Sequence, residues 1–224
     1  ALRTALLEEG VQTRPCRFAP AGLIATSRIV TDRSSTFRAG AYELQDEGSQ
    51  LLAALVGAVA GDHVLDYCAG AGGKTLALAV DVGPAGLVLA HDADPARLDP
   101  LGARAHRAGV NERIVCAPDP DSLPLVDRVL VDAPCTGSGT IRRHPDKAWT
   151  IGAAEAKRMA GLQRDILARA SSRVRPGGTL VYATCSLLAP ENEAVAAWFD
   201  DAFAHFERLC ADALLAERGI AGPF

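Results

Sequence analysis

Methionine is almost missing from this chain. Among 224 residues only Met159 is one, and the first residue is alanine. Translation does not begin at Ala1, so the chain is expected to be a processed product or a piece of a longer protein. No apolar run approaches the roughly 20 residues that a bilayer requires. The amino terminus has no basic start, apolar stretch and small-residue cleavage site of a secretory leader. The six cysteines, Cys16, Cys68, Cys116, Cys135, Cys185 and Cys210, form no CxxC pair and no Cys/His cluster of zinc-finger spacing. A membrane span, a disulfide scaffold and a structural metal site are therefore all disfavoured. With 49% hydrophobic residues the chain can fill a core without staples. The expectation is a cytoplasmic, metal-free monomer whose cysteines are reduced thiols.

Net charge is −4, which argues weakly against nucleic acid, but its distribution argues the other way. Between Arg142 and Arg175 nine basic residues face only Asp146, Glu155 and Asp165, giving +6. Residues 1–40 carry six arginines against Glu8, Glu9 and Asp32, giving +3 and leaving −13 on the rest. Such asymmetry suits a protein with one phosphate-facing side. An arginine-rich solvated helix face explains it equally well.

Short apolar runs alternate with helical patterns. Strands are expected at 63–68, 86–92, 113–117, 128–134 and 179–184, each rich in Val, Leu, Ile or Ala, as strands buried on both faces should be. Helices are expected at 74–82, 95–108, 153–174 and 191–203, with Pro176-Gly177-Gly178 stopping the third before the last strand. One further strand is expected at 205–210. Strand alternating with helix implies a doubly wound α/β fold with a parallel sheet. Its ligands bind at the carboxyl ends of the strands, where strand order reverses. Residues 1–40 lack long periodicity and read as the remnant of a separate subdomain or linker; 41–224 form the main domain.

The first strand runs into Cys68-Ala69-Gly70-Ala71-Gly72-Gly73-Lys74-Thr75. Glycines between a strand and a helix let backbone approach a ligand, and amides at the helix start can hold an anion. A P-loop would need glycine five residues before Gly73, and Cys68 stands there. The alternative is a nucleoside cofactor. Asp92 follows Gly72 by 20 residues, a usual distance for a carboxylate that takes ribose hydroxyls. Asp119, after the third strand, could face an adenine amino group. This trio fits S-adenosylmethionine as well as NAD.

Asp132-Ala133-Pro134-Cys135 ends the fourth strand and Thr184-Cys185-Ser186 the fifth. Singly, each cysteine reads as a small hydrophobe. Two thiols at adjacent strand ends, beside Asp132, point to covalent chemistry. C5 of cytosine is a poor nucleophile; a thiolate added at C6 makes the ring an enamine and activates C5. A carboxyl group at the base's N3 and amino edge would stabilise the adduct, the role open to Asp132. The spacing does not say which thiol attacks.

These residues resemble the RsmB/Sun/nucleolar-protein family of RNA 5-methylcytosine methyltransferases over about 44–200. The matching segments are 45–50 (QDEGSQ), 66–75 (DYCAGAGGKT), 132–146 (DAPCTGSGTIRRHPD), 182–186 (YATCS) and Glu191-Asn192-Glu193. The resemblance implies a Rossmann-like class I methyltransferase sheet. It implies S-adenosylmethionine held by Cys68 to Lys74, Asp92, Asp119 and Asp132. Cys185 would be the nucleophile, and Cys135 would help release the product. Arg142, Arg143 and His144 would lie near the RNA, and 1–40 would be part of an RNA-binding subdomain. The substrate would be an unstacked cytosine in structured RNA, most plausibly ribosomal. Two departures stand out: Gly70-Ala71 replaces the family's Ala-Pro, and Pro118-Asp119-Pro120 replaces its Gly-Asp-Gly. A P-loop ATPase, or an RNA-binding assembly factor that keeps the fold without the chemistry, are the competing readings.

Overall fold

The computed structural model describes residues 1–222. The amino-terminal residues form a small unit: α1 (Leu2–Glu8), an antiparallel hairpin of β1 (Thr13–Pro15) and β2 (Leu23–Ala25), and α2 (Ser35–Arg38). Glu9 ties it together by accepting from the Ser34 and Ser35 hydroxyls at 2.6 Å and from the Thr36 amide at 2.9 Å.

The main domain continues through α3 (Glu47–Val56), β3 (His63–Asp66), α4 (Gly73–Asp81), β4 (Leu87–Ala90), α5 (Asp99–Ala108), β5 (Ile114–Cys116) and β6 (Val126–Asp132). It ends with α6 (Lys147–Thr150), α7 (Ala153–Ser171), β7 (Val174–Ala183), α8 (Glu193–Ala202) and α9 (Ala211–Glu217). The five strands β5-β4-β3-β6-β7 lie side by side, all parallel. The chain first steps outward from β3 to β4 and β5, then returns to β6 on the opposite side of β3. Strand order therefore reverses between β3 and β6, the place where doubly wound sheets open a crevice.

Successive strand residues point to opposite faces, and each face has its own core. Val64, Val88, Leu130 and Val181 pack under α3, α4 and α5 with Leu78, Val82 and Leu101. Leu65, Leu89, Val129 and Val131 pack against α7 and α8 with Leu167, Ala170 and Val195. Truncating a fully buried leucine such as Leu130 to alanine would cost about 2–5 kcal/mol.

All five expected strands are present, and the differences have local causes. The helix expected at 95–108 is split into a 3-10 turn, Pro95–Leu98, and α5. Pro100 falls in the first turn of α5, where a missing N–H costs nothing. Pro176-Gly177-Gly178 does not stop α7, which ends at Ser171; it lies inside β7. There the register with β6 jumps from Val126↔Val174 to Arg128↔Thr179, so Arg175 to Gly178 loop out of the ladder. Gly177, at φ 77°, makes that excursion possible. Residues 205–210 are not a strand; they cross irregularly to α9. No helix among the described residues is long and apolar enough to cross a membrane.

Candidate active site

The crevice is floored by the carboxyl ends of β3, β4, β6 and β7. After β3, Ala69 donates to the His91 carbonyl at 2.8 Å, and Gly72 to the Ala69 carbonyl at 2.9 Å, which closes the glycine-rich turn. Gly70 and Gly72 have φ of 53° and 80°. A Cβ on Gly72 would fall 2.3 Å from Leu101 Cδ1, so the close packing of this turn on α5 admits only glycine. Lys74 and Thr75, the residues that would serve phosphate and metal in a P-loop, are turned inward. Lys74 pairs with Asp132, and the Thr75 hydroxyl donates to Asp66 Oδ2 at 2.7 Å.

Asp66 is 1% exposed, and its Oδ1 has no hydrogen-bond partner among the described residues. Burial pushes its carboxyl up to about 6, against the opposing pull of the Thr75 hydroxyl and Lys74. Asp92 is buried at the end of β4. Its carboxylate accepts from the Gly70 amide at 2.9 Å and the Asp94 amide at 3.1 Å, and Arg97 pairs with it at 3.0 Å. Asp119 is exposed beyond β5 and accepts from the Asp121 amide at 3.0 Å as a turn cap. Cys68 is half-buried, and burial pushes its thiol up to about 12, so it sits here as a neutral group. A glycine cradle, a carboxylate at the second strand end and an orphaned buried acceptor fit a nucleoside cofactor carrying an amino group.

The other end of the crevice holds the thiols. Ala133 donates to the Ala183 carbonyl at 2.8 Å, extending the β6–β7 ladder to its last residue. Cys135 and Cys185 then face each other across the two loops with sulfurs 3.2 Å apart. The Gly139 amide donates to the Cys185 carbonyl at 2.9 Å. A Cβ at Gly139 would lie 2.6 Å from that oxygen, so the glycine is what lets the loops touch. The Cys185 thiol is drawn down to about 6, chiefly by the Cys135 S–H and also by the Lys147 ammonium, with burial and Asp132 opposing. The Cys135 thiol moves the opposite way, pushed up by the same contact and by burial. The shared contact thus favours the thiolate at Cys185 and the thiol at Cys135.

One carboxylate fastens both loops. Glu191 is 0% exposed. It accepts from the Thr136 amide at 2.9 Å, the Thr136 hydroxyl at 2.5 Å, the Ser186 hydroxyl at 2.6 Å and Gln163 Nε2 at 3.1 Å. Desolvation raises its carboxyl, but the donors from Ser186, Thr136 and Gln163 outweigh that and hold it below the usual range. Thr136 follows Cys135 and Ser186 follows Cys185, so a single buried anion sets the separation of the sulfurs. Sequence reasoning placed Glu191 in a motif and gave it no role. The Pro190-Glu191 turn in front of α8 carries no mark of its partner 55 residues upstream.

Cys135 and Thr136 also line a cavity of about 460 Å³ with Lys147, Thr150, Ile151 and Glu155. Lys147 is one of the nine basic residues between Arg142 and Arg175, and the sequence gives it no individual role. Of the residues singled out by sequence, Arg142 and His144 are exposed beside the thiols' loop, and Arg143 reaches back to pair with Asp46. The structure therefore gathers Asp66 to Lys74, Asp92, Asp132, Cys135 and Cys185 in one crevice and leaves Asp119 at its edge.

Residues 53–210 match the family described as 16S rRNA methyltransferase RsmB/F. Ribosomal RNA small subunit methyltransferase B of Vibrio cholerae is 37% identical over 194 residues, covering 84% of this chain and 44% of its own length. The protein of the same name in Pasteurella multocida is 33% identical over 200 residues, with 85% and 44% covered. The chain thus spans about half the length of the curated relatives it matches. Among solved structures, a methyltransferase homolog protein from Pyrococcus horikoshii superposes with TM-score 0.79 at 31% identity, covering 90% of this chain and 65% of that one. NSun6 from the same organism, solved with SFG, superposes with TM-score 0.70 at 26% identity, covering 81% and 48%.

Proposed function

The chain belongs to the 16S rRNA methyltransferase RsmB/F family, and from that premise we propose that it methylates C5 of a cytosine in ribosomal RNA through a covalent adduct of Cys185. The observation that carries this reading is the thiol pair, its sulfurs 3.2 Å apart at the ends of β6 and β7.

The Cys185 thiolate adds to C6 of the cytosine, forming the Sγ–C6 bond and placing electron density on C5. Asp132, half-buried and paired with Lys74, meets the N3 and amino edge of the base and stabilises the charge of the adduct. S-adenosylmethionine supplies the methyl group when bound, held by the glycine turn from Cys68 to Lys74, by Asp66 and by Asp92. Arg97 shares the Asp92 carboxylate and yields one of its oxygens to the ribose hydroxyls. Asp119, exposed and capping its own turn, would border the adenine of the bound cofactor. Once C5 carries the methyl group, a water takes the C5 proton, the electron pair of that C–H bond re-forms C5=C6 as the Sγ–C6 bond breaks, and Cys185 departs as a thiolate. The Cys135 S–H that lowered the Cys185 pKa also stabilises it as a leaving group, so one hydrogen bond serves both attack and release. Arg142 and Arg143 supply cationic surface beside the reacting base, and His144 adds a hydrogen-bonding ring next to them. The arginine-rich unit ending at Arg38 extends that surface along the RNA.

The test is a 16S rRNA transcript made with 5-fluorocytidine and incubated with the protein and S-adenosylmethionine. Fluorine cannot leave C5 as a cation, so the adduct persists as a covalent protein–RNA band. The band should vanish in Cys185→Ala and remain in Cys135→Ala. Loss in Cys135→Ala alone would reverse the two roles. RNA binding with no band would leave a binding protein on a methyltransferase fold.

A further inference from the structure

Among the described residues the two most exposed large apolar side chains are Trp149, at 91%, and Leu187, at 80%. Leu187 is on the loop of Cys185, and Trp149 is in α6, whose Lys147 and Thr150 line the cavity beside Cys135. Leu187 lies two residues beyond the nucleophile, and its backbone is fixed. Its amide donates to the Ser138 hydroxyl at 2.7 Å, and the next amide donates to the Ser186 hydroxyl at 3.1 Å. Asn192 Nδ2 donates to the carbonyls of Ser186 and Leu188, at 2.9 and 3.2 Å. An ordered loop therefore holds the side chain out in water. Trp149 occupies the outer side of α6. Its turn is closed by Ile151 donating to the Lys147 carbonyl at 3.1 Å.

The charge around these side chains selects their partner. No ion pair involves Arg142 or Lys147 among the described residues, and Arg143 is half-exposed on Asp46. A ring and a branched aliphatic near the unpaired Arg142 and the exposed Arg143 complement nucleotides, which offer π faces joined by phosphates. A base that leaves its stack to reach Cys185 also leaves two neighbours with bare faces.

We infer that Trp149 and Leu187 form a split platform for the nucleotides flanking the target cytosine: the indole stacks on one neighbouring base, and Leu187 enters the gap that the cytosine vacates. Arg142, exposed and without an ion pair among the described residues, faces the intervening phosphates. This rests on the RNA methyltransferase reading above and names how that site receives its substrate.

The test uses the 16S rRNA transcript and, once the trapped band has located the target, a short RNA around it with an abasic residue on either side in turn. Trp149→Ala should weaken binding of the intact RNA by about 5- to 150-fold, the range of one lost base stack, and leave S-adenosylmethionine affinity unchanged. On the RNA lacking one particular neighbour, the substitution should have no further effect. In a Trp198→Phe background, Trp149 fluorescence should be quenched by the intact RNA and not by that abasic one. Leu187→Ala should slow adduct formation more than it weakens binding. Equal losses on intact and abasic RNA, or an RNA affinity within about twofold of wild type, would overturn the inference while the trapped band stands. A wild-type protein that neither binds nor traps RNA would overturn the functional reading beneath it as well.

Discussion

The two ends of the crevice are built by opposite means. At the β3–β4 end, one carboxylate, Asp92, takes two amides and an exposed arginine from its own neighbourhood, and a second, Asp66, keeps an oxygen without a partner. At the β6–β7 end, Glu191 spends its carboxylate on donors from the loop after β6, the loop after β7 and α7. A cofactor enters and leaves at every turnover, so its end must keep acceptors open. Two sulfurs must stay at one separation, so theirs ties both loops to one buried carboxylate through four donors, although Gln163 Oε1 beside it has no partner among the described residues.

Replacing the anion at the closed end should give the largest effect. Glu191→Gln turns one acceptor oxygen into an NH2 group facing donors from Thr136, Ser186 and Gln163, and at least one buried donor loses its partner. The expected cost is about 2–4 kcal/mol of stability, with a kcat roughly 100-fold lower as the sulfurs lose alignment. S-adenosylmethionine affinity, measured by calorimetry below the melting transition, should change little. A variant that melts early yet turns over normally would show that the clamp serves folding alone.

The open end should respond more mildly. Asp92→Ala removes the acceptor for Gly70 and the proposed ribose contact, and should weaken S-adenosylmethionine about tenfold. Cys185 should keep its alkylation rate, because no hydrogen bond joins Asp92 to the thiol loops. A parallel loss of thiol reactivity would mean that the two ends are coupled and the contrast between them is wrong.

This contrast also explains what the sequence disclosed. The open end is assembled from adjacent residues, so the glycine turn and a carboxylate at the next strand end could be read from spacing. The cysteines could be read because each directly follows a strand with its own apolar pattern. The clamp could not, because Glu191 finds Thr136 only after β7 has paired beside β6. Pro176-Gly177-Gly178 misled for the same reason: pairing with β6 on both sides carries the strand through a sequence that locally signals a stop. The segment 205–210, with Phe206, Leu209 and Cys210 among polar residues, is open to a strand by composition, yet leaves β7's outer edge to a cleft of about 1140 Å³ instead of pairing with it. The exposure of Trp149 is equally invisible, since an aromatic in a basic helical stretch reads as core until the turn around it is placed.

The finest difference concerns the proton shared by the two sulfurs. In wild type, alkylation of Cys185 by iodoacetamide should rise with pH through an inflection near 6, because the thiolate is the reactive form. The Cys135 S–H is the largest cause of that lowering. Removing it in Cys135→Ala should carry the inflection upward, toward the ordinary thiol value of 9.0. The sign follows from the donor: without it the thiolate is less favoured, so a higher pH is needed to form it. The rate at about pH 7.5 should fall only a few-fold, since a thiolate of higher pKa is also intrinsically more nucleophilic. The displaced inflection, rather than the rate at any one pH, is therefore the measurement. Cys135→Ser, which keeps a donor, should leave the inflection nearer to 6. An inflection unmoved in Cys135→Ala would transfer the effect to the Lys147 ammonium, the second group that lowers Cys185. In that case Lys147→Met, rather than Cys135→Ala, would carry the curve upward.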